Sequence, residues 1–206
     1  MPDRYRYGFY LRPDLAMSRA VVEAHRLLKA QYNLKAAARF MPHATLKGFF
    51  RSDARPETIM ARLDAAMAGW QPFTVYNNGV GPFGPSSIVI GLRERADGSP
   101  NPHLYELQER AWIALEPLIH PDCEFSPDDP RGLSGSNPFH PHVTLAMGDL
   151  RPELQEEVLA FLQEGAPLGP GRFTATICHL YRFEAEWSGA WWQTLTWEHI
   201  YSSRAG

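Results

Sequence analysis

Two copies of one tetrapeptide pattern, His43-Ala44-Thr45-Leu46 and His142-Val143-Thr144-Leu145, stand in the two halves of the chain. On an extended strand the side-chain period is two, so His43 and Thr45 share one face and Ala44 and Leu46 the other. The second copy divides in the same way. Each strand would present an imidazole and a hydroxyl to one surface and anchor itself through apolar side chains on the other. An imidazole with an ordinary pKa of about 6.5 is available near neutrality both as a base and as an acid. Two of them meeting across a groove suit in-line substitution at phosphorus: one takes a proton from the attacking oxygen, the other gives one to the leaving oxygen. Thr45 and Thr144 are placed to hydrogen-bond the non-bridging oxygens, where charge must be held in the transition state. The scheme asks for no metal and no other cofactor.

The elements around the two motifs repeat. Tyr5 to Leu11 alternates aromatic and polar residues and predicts a strand. Pro13 offers a helix start, followed by Ala20, Ala24, Leu27 and Leu28 on one helical face. Residues 39–50 predict a strand, and Pro56 opens a helix carrying Ile59, Leu63, Ala66 and Met67. Two further strands follow, PFTVYNNGVGPFG and SSIVIGL. In the second half, Asn101-Pro102 starts a helix lined by Leu104, Leu107, Ala111, Leu115 and Leu118. Residues 138–147 predict a strand, and Pro152 a helix with Leu154, Val158, Phe161 and Leu162. RFTATICHLYRF and WWQTLTWEHIYS close the chain as strands.

Both helices that follow a motif begin with Pro-Glu, at Pro56-Glu57 and Pro152-Glu153. A Phe-Thr pair follows each histidine at nearly the same interval, as Phe73-Thr74 and Phe173-Thr174. These coincidences, in register, imply an internal duplication and an α+β fold of two similar lobes. Residues 1–206 are expected to form a single domain with lobes centred on 43–46 and 142–145. Glu94 to Asn101 connects the halves, and His120 to Asn137 is a long irregular segment of the kind that serves as a functional loop or a mobile insertion.

Paired His-x-Thr-Leu motifs, in PHATLKG and PHVTLAMG, resemble the 2H phosphoesterase superfamily, which includes 2′-5′ RNA ligase-like proteins and cyclic phosphodiesterases. The resemblance implies two pseudo-twofold-related lobes, each with a small, mainly antiparallel sheet and flanking helices, and an active-site cleft between them. It implies a metal-independent phosphoesterase acting on 2′,3′-cyclic or 2′-5′ phosphodiesters of nucleotides or RNA ends. His43 and His142 take the acid/base roles and Thr45 and Thr144 bind phosphate. Where relatives place a basic residue after the second motif, this chain has Ala146-Met147. Lys47, on the same strand face as His43 and Thr45, is the candidate for that cationic contact. Tyr10, Phe49, Phe139 and Tyr181 are candidates for stacking a base.

Two other readings stand beside this one. The same fold could hold RNA ends or nucleotides without turning them over, although binding alone needs no matched acid and base. His140 and His142 form an H-x-H pair able to place two imidazoles on one metal, but no third donor has convincing spacing. The bulk properties narrow the field further. With 44% hydrophobic and 21% charged residues in 206, the composition is that of a globular chain. A net charge of −3 speaks against coating long nucleic acid, while a nucleotide or RNA end needs only a few local cations. Cys123 and Cys178 have neither redox nor metal spacing, and the N-terminal MPDRYRYGFYL lacks the apolar run of a secretory leader. A cytoplasmic monomer follows, with no membrane segment and no obligate protein partner.

Overall fold

The computed structural model describes residues 5–121 and 139–206. Cys123 and the irregular segment from residue 122 onward lie outside the described residues. The first strand, β1 (Tyr5–Leu11), leads into α1 (Leu15–Tyr32). Pro13 does not open that helix. Asp14 is the cap, its carboxylate accepting from the Met17 amide at 2.9 Å. The buried face of α1 is Met17, Val21, Ala24, His25 and Leu28, one position round from the expected stripe. Val21, the larger side chain, takes the place expected for Ala20, because it buries more apolar surface.

A 3₁₀ turn at Ala37–Arg39 shortens the next strand to β2 (Ala44–Phe50), and α2 (Pro56–Ala66) begins with Pro56 in its first turn. Three strands follow where two are expected: β3 (Phe73–Tyr76), β4 (Val80–Pro82) and β5 (Ile88–Gly91). Helix α3 (Pro102–Leu115) buries Leu104, Leu107, Ala111 and Leu115 as its spacing predicts. Asn101 does not cap it through its side chain. Its side-chain amide donates instead to the Thr74 carbonyl at 2.9 Å. Strand β6 (His142–Ala146) carries the second motif. Pro152 starts a 3₁₀ turn that runs into α4 (Gln155–Gln163). The strands β7 (Arg172–Ala175), β8 (Ile177–Glu184) and β9 (Thr196–Arg204) end the chain.

The strands form a seven-stranded sheet in the order β4-β5-β6-β2-β1-β8-β9 and a separate pair, β3-β7. The α+β class is as expected. The arrangement of sheets is different: the two motif strands are neighbours in one large sheet instead of belonging to two small ones. At two of the places where the halves meet, equivalent positions face each other. Ala44 pairs with Val143 in β2-β6, and Thr74 pairs with Thr174 in β3-β7. Antiparallel strands that pair through equivalent residues are related by a local twofold, so the duplication legible in the sequence becomes a symmetry of the pairing.

Helices are exchanged across this seam. Helix α3 packs on β2 and α2, while α1 packs on β6 and α4, each on an element of the opposite half. The main core holds Phe9, Leu11, Leu46, Phe50, Ile88, Ile90, Val143, Leu145 and Leu180 with the helix faces above. In a second cluster Tyr10, Phe49, Tyr181 and Phe183 occupy the alternate positions of the same strands, joined by Phe40 and Leu195 from the adjoining loops. No helix among the described residues is long and apolar enough to cross a membrane.

Candidate functional site

One backbone bridge sets the geometry of the site. With Ala44 opposite Val143 in an antiparallel pair, His43 falls in register beside Thr144, and Thr45 beside His142. The two imidazoles and two hydroxyls therefore alternate on one face at the centre of the sheet. All four line a single cleft of about 270 Å³.

Each histidine is held by the same device. His43 Nδ1 lies 2.7 Å from the Met41 carbonyl, and His142 Nδ1 lies 2.6 Å from the His140 carbonyl. A carbonyl only accepts, so both Nδ1 atoms carry the proton and donate it. In the neutral ring Nε2 is then the basic nitrogen. An aromatic ring flanks each imidazole at the same separation: Tyr10 edge-on to His43 and Phe83 tilted against His142, both with centroids 4.5 Å apart.

Beyond these matches the two environments differ. Burial disfavours the His43 cation, and the nearby His142 and His25 rings add to the effect. Together they outweigh the hydrogen bond to Met41 and hold its pKa down to about 4. His43 is therefore a neutral imidazole at neutral pH. His25, buried on α1, donates Nε2–H to the Thr144 carbonyl at 3.2 Å and so braces the second motif strand from behind. Its own pKa is lowered by burial, partly offset by that bond.

Lys47 is brought to the cleft as the strand period predicts, but it is almost fully buried at 2% exposure, not a solvated surface lysine. Tyr10, Phe49 and Phe139 also line the cleft. Tyr10 and Phe49 are buried, and Phe49 packs against Phe183 at 4.8 Å and Trp187 at 5.1 Å. Tyr181 is not part of the lining. It sits in the aromatic cluster, with Trp197 at 5.3 Å. His140 lines the cleft and contributes its carbonyl to His142. Among the described residues no three His, Cys, Asp or Glu side chains converge as metal donors.

Sequence reasoning missed several lining residues: Phe83, Gln108, Trp112 and Trp191. Phe83 is the most exposed of the large aromatics near the histidines, at 41%. It stands at the turn between β4 and β5, where its amide donates to the Ser87 carbonyl at 2.8 Å and Gly84 takes a φ of +61°. The Phe-Gly-Pro run at 83–85 is a hairpin-tip signal, and with β5 paired to β6 the Phe83 ring reaches His142.

The sequence model of the 2′-5′ RNA ligase superfamily matches residues 13–187. No curated protein matches the chain. Among solved structures, E. coli LigT in its apo form is similar in fold, with a TM-score of 0.57 and 18% identity over 97% of this chain and 96% of that one. LigT complexed with 3′-AMP matches with a TM-score of 0.54 and 17% identity over 98% of each chain. A protein of Thermus thermophilus matches with a TM-score of 0.63 and 18% identity over 97% of each.

Proposed function

Because the chain belongs to the 2′-5′ RNA ligase superfamily of phosphoesterases and ligases, we propose that its cleft hydrolyses 2′,3′-cyclic phosphodiesters at nucleotide or RNA ends with His43 as base and His142 as acid. The observation that supports this is the matched pair of Nδ1 hydrogen bonds. They give two histidines from distant parts of the chain the same tautomer in one cleft, which paired proton transfer requires and simple binding does not.

The environment of His43 supports this division of roles. His43, kept neutral by burial and by the neighbouring imidazoles, accepts the proton of a water attacking phosphorus. As the new P–O bond forms, the bond to the 3′ oxygen breaks, and imidazolium His142 gives that oxygen its proton. The product carries a 2′-phosphate. The cycle closes when His43 returns its proton to solvent and His142 regains one. The hydroxyls of Thr45 and Thr144 and the Lys47 ammonium hold the non-bridging oxygens while charge builds on them. Phe83 stacks on the base, supported by its exposure at the cleft and its place beside His142. The LigT complex with 3′-AMP lends this reading a nucleotide in a relative of the same fold.

The experiment is turnover of a 2′,3′-cyclic nucleotide with EDTA present, the product's phosphate position read by phosphorus NMR. A 2′-phosphate formed in chelator by the wild type, and lost in both His43→Ala and His142→Ala, supports the proposal. Activity that survives both substitutions, or that disappears with EDTA alone, overturns it.

A further inference from the structure

The cleft is not the only place where basic side chains meet. Leu11 pairs with Ala44, so Arg12 and His43 fall in the next rung of the ladder. The Arg12 amide donates to the Ile177 carbonyl at 3.1 Å, and Ile177 pairs with Arg204. His43, Arg12, Ile177 and Arg204 therefore form one row across the sheet, with both arginines exposed. The adjoining row runs Thr45, Tyr10, His179, Ser202. Antiparallel partners share a face, so both rows lie on the face that carries the catalytic side chains.

Along this strip His179 Nδ1 lies 2.9 Å from His199 Nε2 and 3.0 Å from Ser202 Oγ, and His199 Nε2 lies 2.9 Å from the same hydroxyl. Burial, then the charges of His199, Arg12 and Arg204, lower the His179 pKa to about 4. No carboxylate is among the groups acting on it. Asp14, the acid nearest Arg12 in sequence, turns its carboxylate to the Met17 amide. Beside the cluster the Trp197 ring is 42% exposed. In a chain of net charge −3, two exposed guanidiniums beside the hydrogen-bonding groups of His179, His199 and Ser202 favour an anion. Two interstrand spacings, about 10 Å, separate Thr45 from His179, which is within reach of the phosphate adjoining the reacting one.

We propose that Arg12, Arg204, His179, His199 and Ser202 form a second subsite, holding the phosphodiester one nucleotide upstream of the reacting phosphate, with Trp197 as a platform for the neighbouring base. The substrate is then the 3′ end of an oligoribonucleotide, in preference to a free mononucleotide. This rests on the cleft holding the reacting phosphate as proposed above. An exposed aromatic ring beside cations that follow the backbone is the general means of gripping single-stranded nucleic acid.

The test compares a 2′,3′-cyclic mononucleotide with a trinucleotide ending in the same cyclic nucleotide, across a range of salt. Wild type takes the trinucleotide with a KM lower by at least about threefold. Its log KM also responds more steeply to log salt, by roughly 0.7 for each added phosphate contact. Arg204→Ala and Arg204→Glu erase both differences with little change in kcat, and Arg204→Lys restores part of them. Equal KM and equal salt response for the two substrates in the wild type would overturn the subsite and leave the catalytic proposal standing. Turnover of neither substrate would sink the catalytic proposal. The strip is then tested alone by fluorescence anisotropy of a labelled trinucleotide bearing a 3′-phosphate: weaker binding by Arg204→Glu supports the subsite, and unchanged binding overturns it.

Discussion

Ala44 and Val143 are partners across the central strand pair of the sheet, and this one bridge fixes how His43 and His142 stand to each other. Neither residue carries chemistry. Both are buried in the main core, where the apolar half of each motif anchors its strand and so aims the polar half at the cleft. The geometry of the candidate site is thus inherited from core packing, and a shift of one residue in either strand would turn that motif's histidine and threonine to the opposite face.

Removing either imidazole should be severe. His43→Ala and His142→Ala are each expected to lower kcat by about 10²-fold to 10⁴-fold, the contribution typical of a positioned acid or base. The double variant should fall little below the worse single one, because the two act as a unit. Steady-state kinetics on the three proteins, with circular dichroism to verify folding, decide this. Fully multiplicative losses would show that the histidines work independently.

The pH–rate profile should report the burial of His43. The ring acts as a base only when neutral, and it is neutral above about 4. The acid limb of kcat/KM is therefore expected to descend as pH falls through about 4, well below the ordinary histidine range of about 6.5. A limb centred near 6.5 would assign the base elsewhere.

Stability should decline with acid over a defined window. The folded pKa values of His43 and His179 are about 4 and that of His25 is also lowered, whereas in the unfolded chain all three titrate at the ordinary value of 6.5. Between these limits the unfolded state binds more protons. The stabilisation is complete above about 6.5 and is lost as pH falls toward 4. Calorimetry is expected to show Tm dropping by roughly 3–10 °C over that interval. A flat Tm would mean that these rings are hydrated in the folded protein.

Phe83→Ala is a test of recognition without chemistry. With 41% exposure the ring contributes little to the core, so Tm should stay within about 2 °C of wild type. Loss of a base-stacking surface is expected to raise KM roughly fivefold to a hundredfold while kcat changes little. A fall in kcat at constant KM would make Phe83 a positioning residue for His142 instead.

The motif residues were legible because their spacing is local. A period of two puts His43, Thr45 and Lys47 on one face whatever the rest of the chain does, and the repeated Phe-Thr and Pro-Glu pairs disclosed the duplication without any knowledge of contacts. Local rules also fixed the faces of α2 and α3, where Ile59 and Leu63, and Leu104 through Leu115, are buried as spaced. Tertiary structure decided which strand lies beside which. No sequence pattern near His43 announces that β2 pairs with β6 and that the two halves share one sheet, because pairing depends on burial summed over distant segments. For the same reason Phe83 is not legible in the sequence, its place beside His142 coming from the pairing of β5 with β6. Tyr181 falls outside the cleft because alternation gives the face of a strand but not how far along that face the cleft extends. The pKa of His43 lay beyond sequence altogether, since it is set by burial, with a smaller contribution from the His142 and His25 rings, and only folding brings these about.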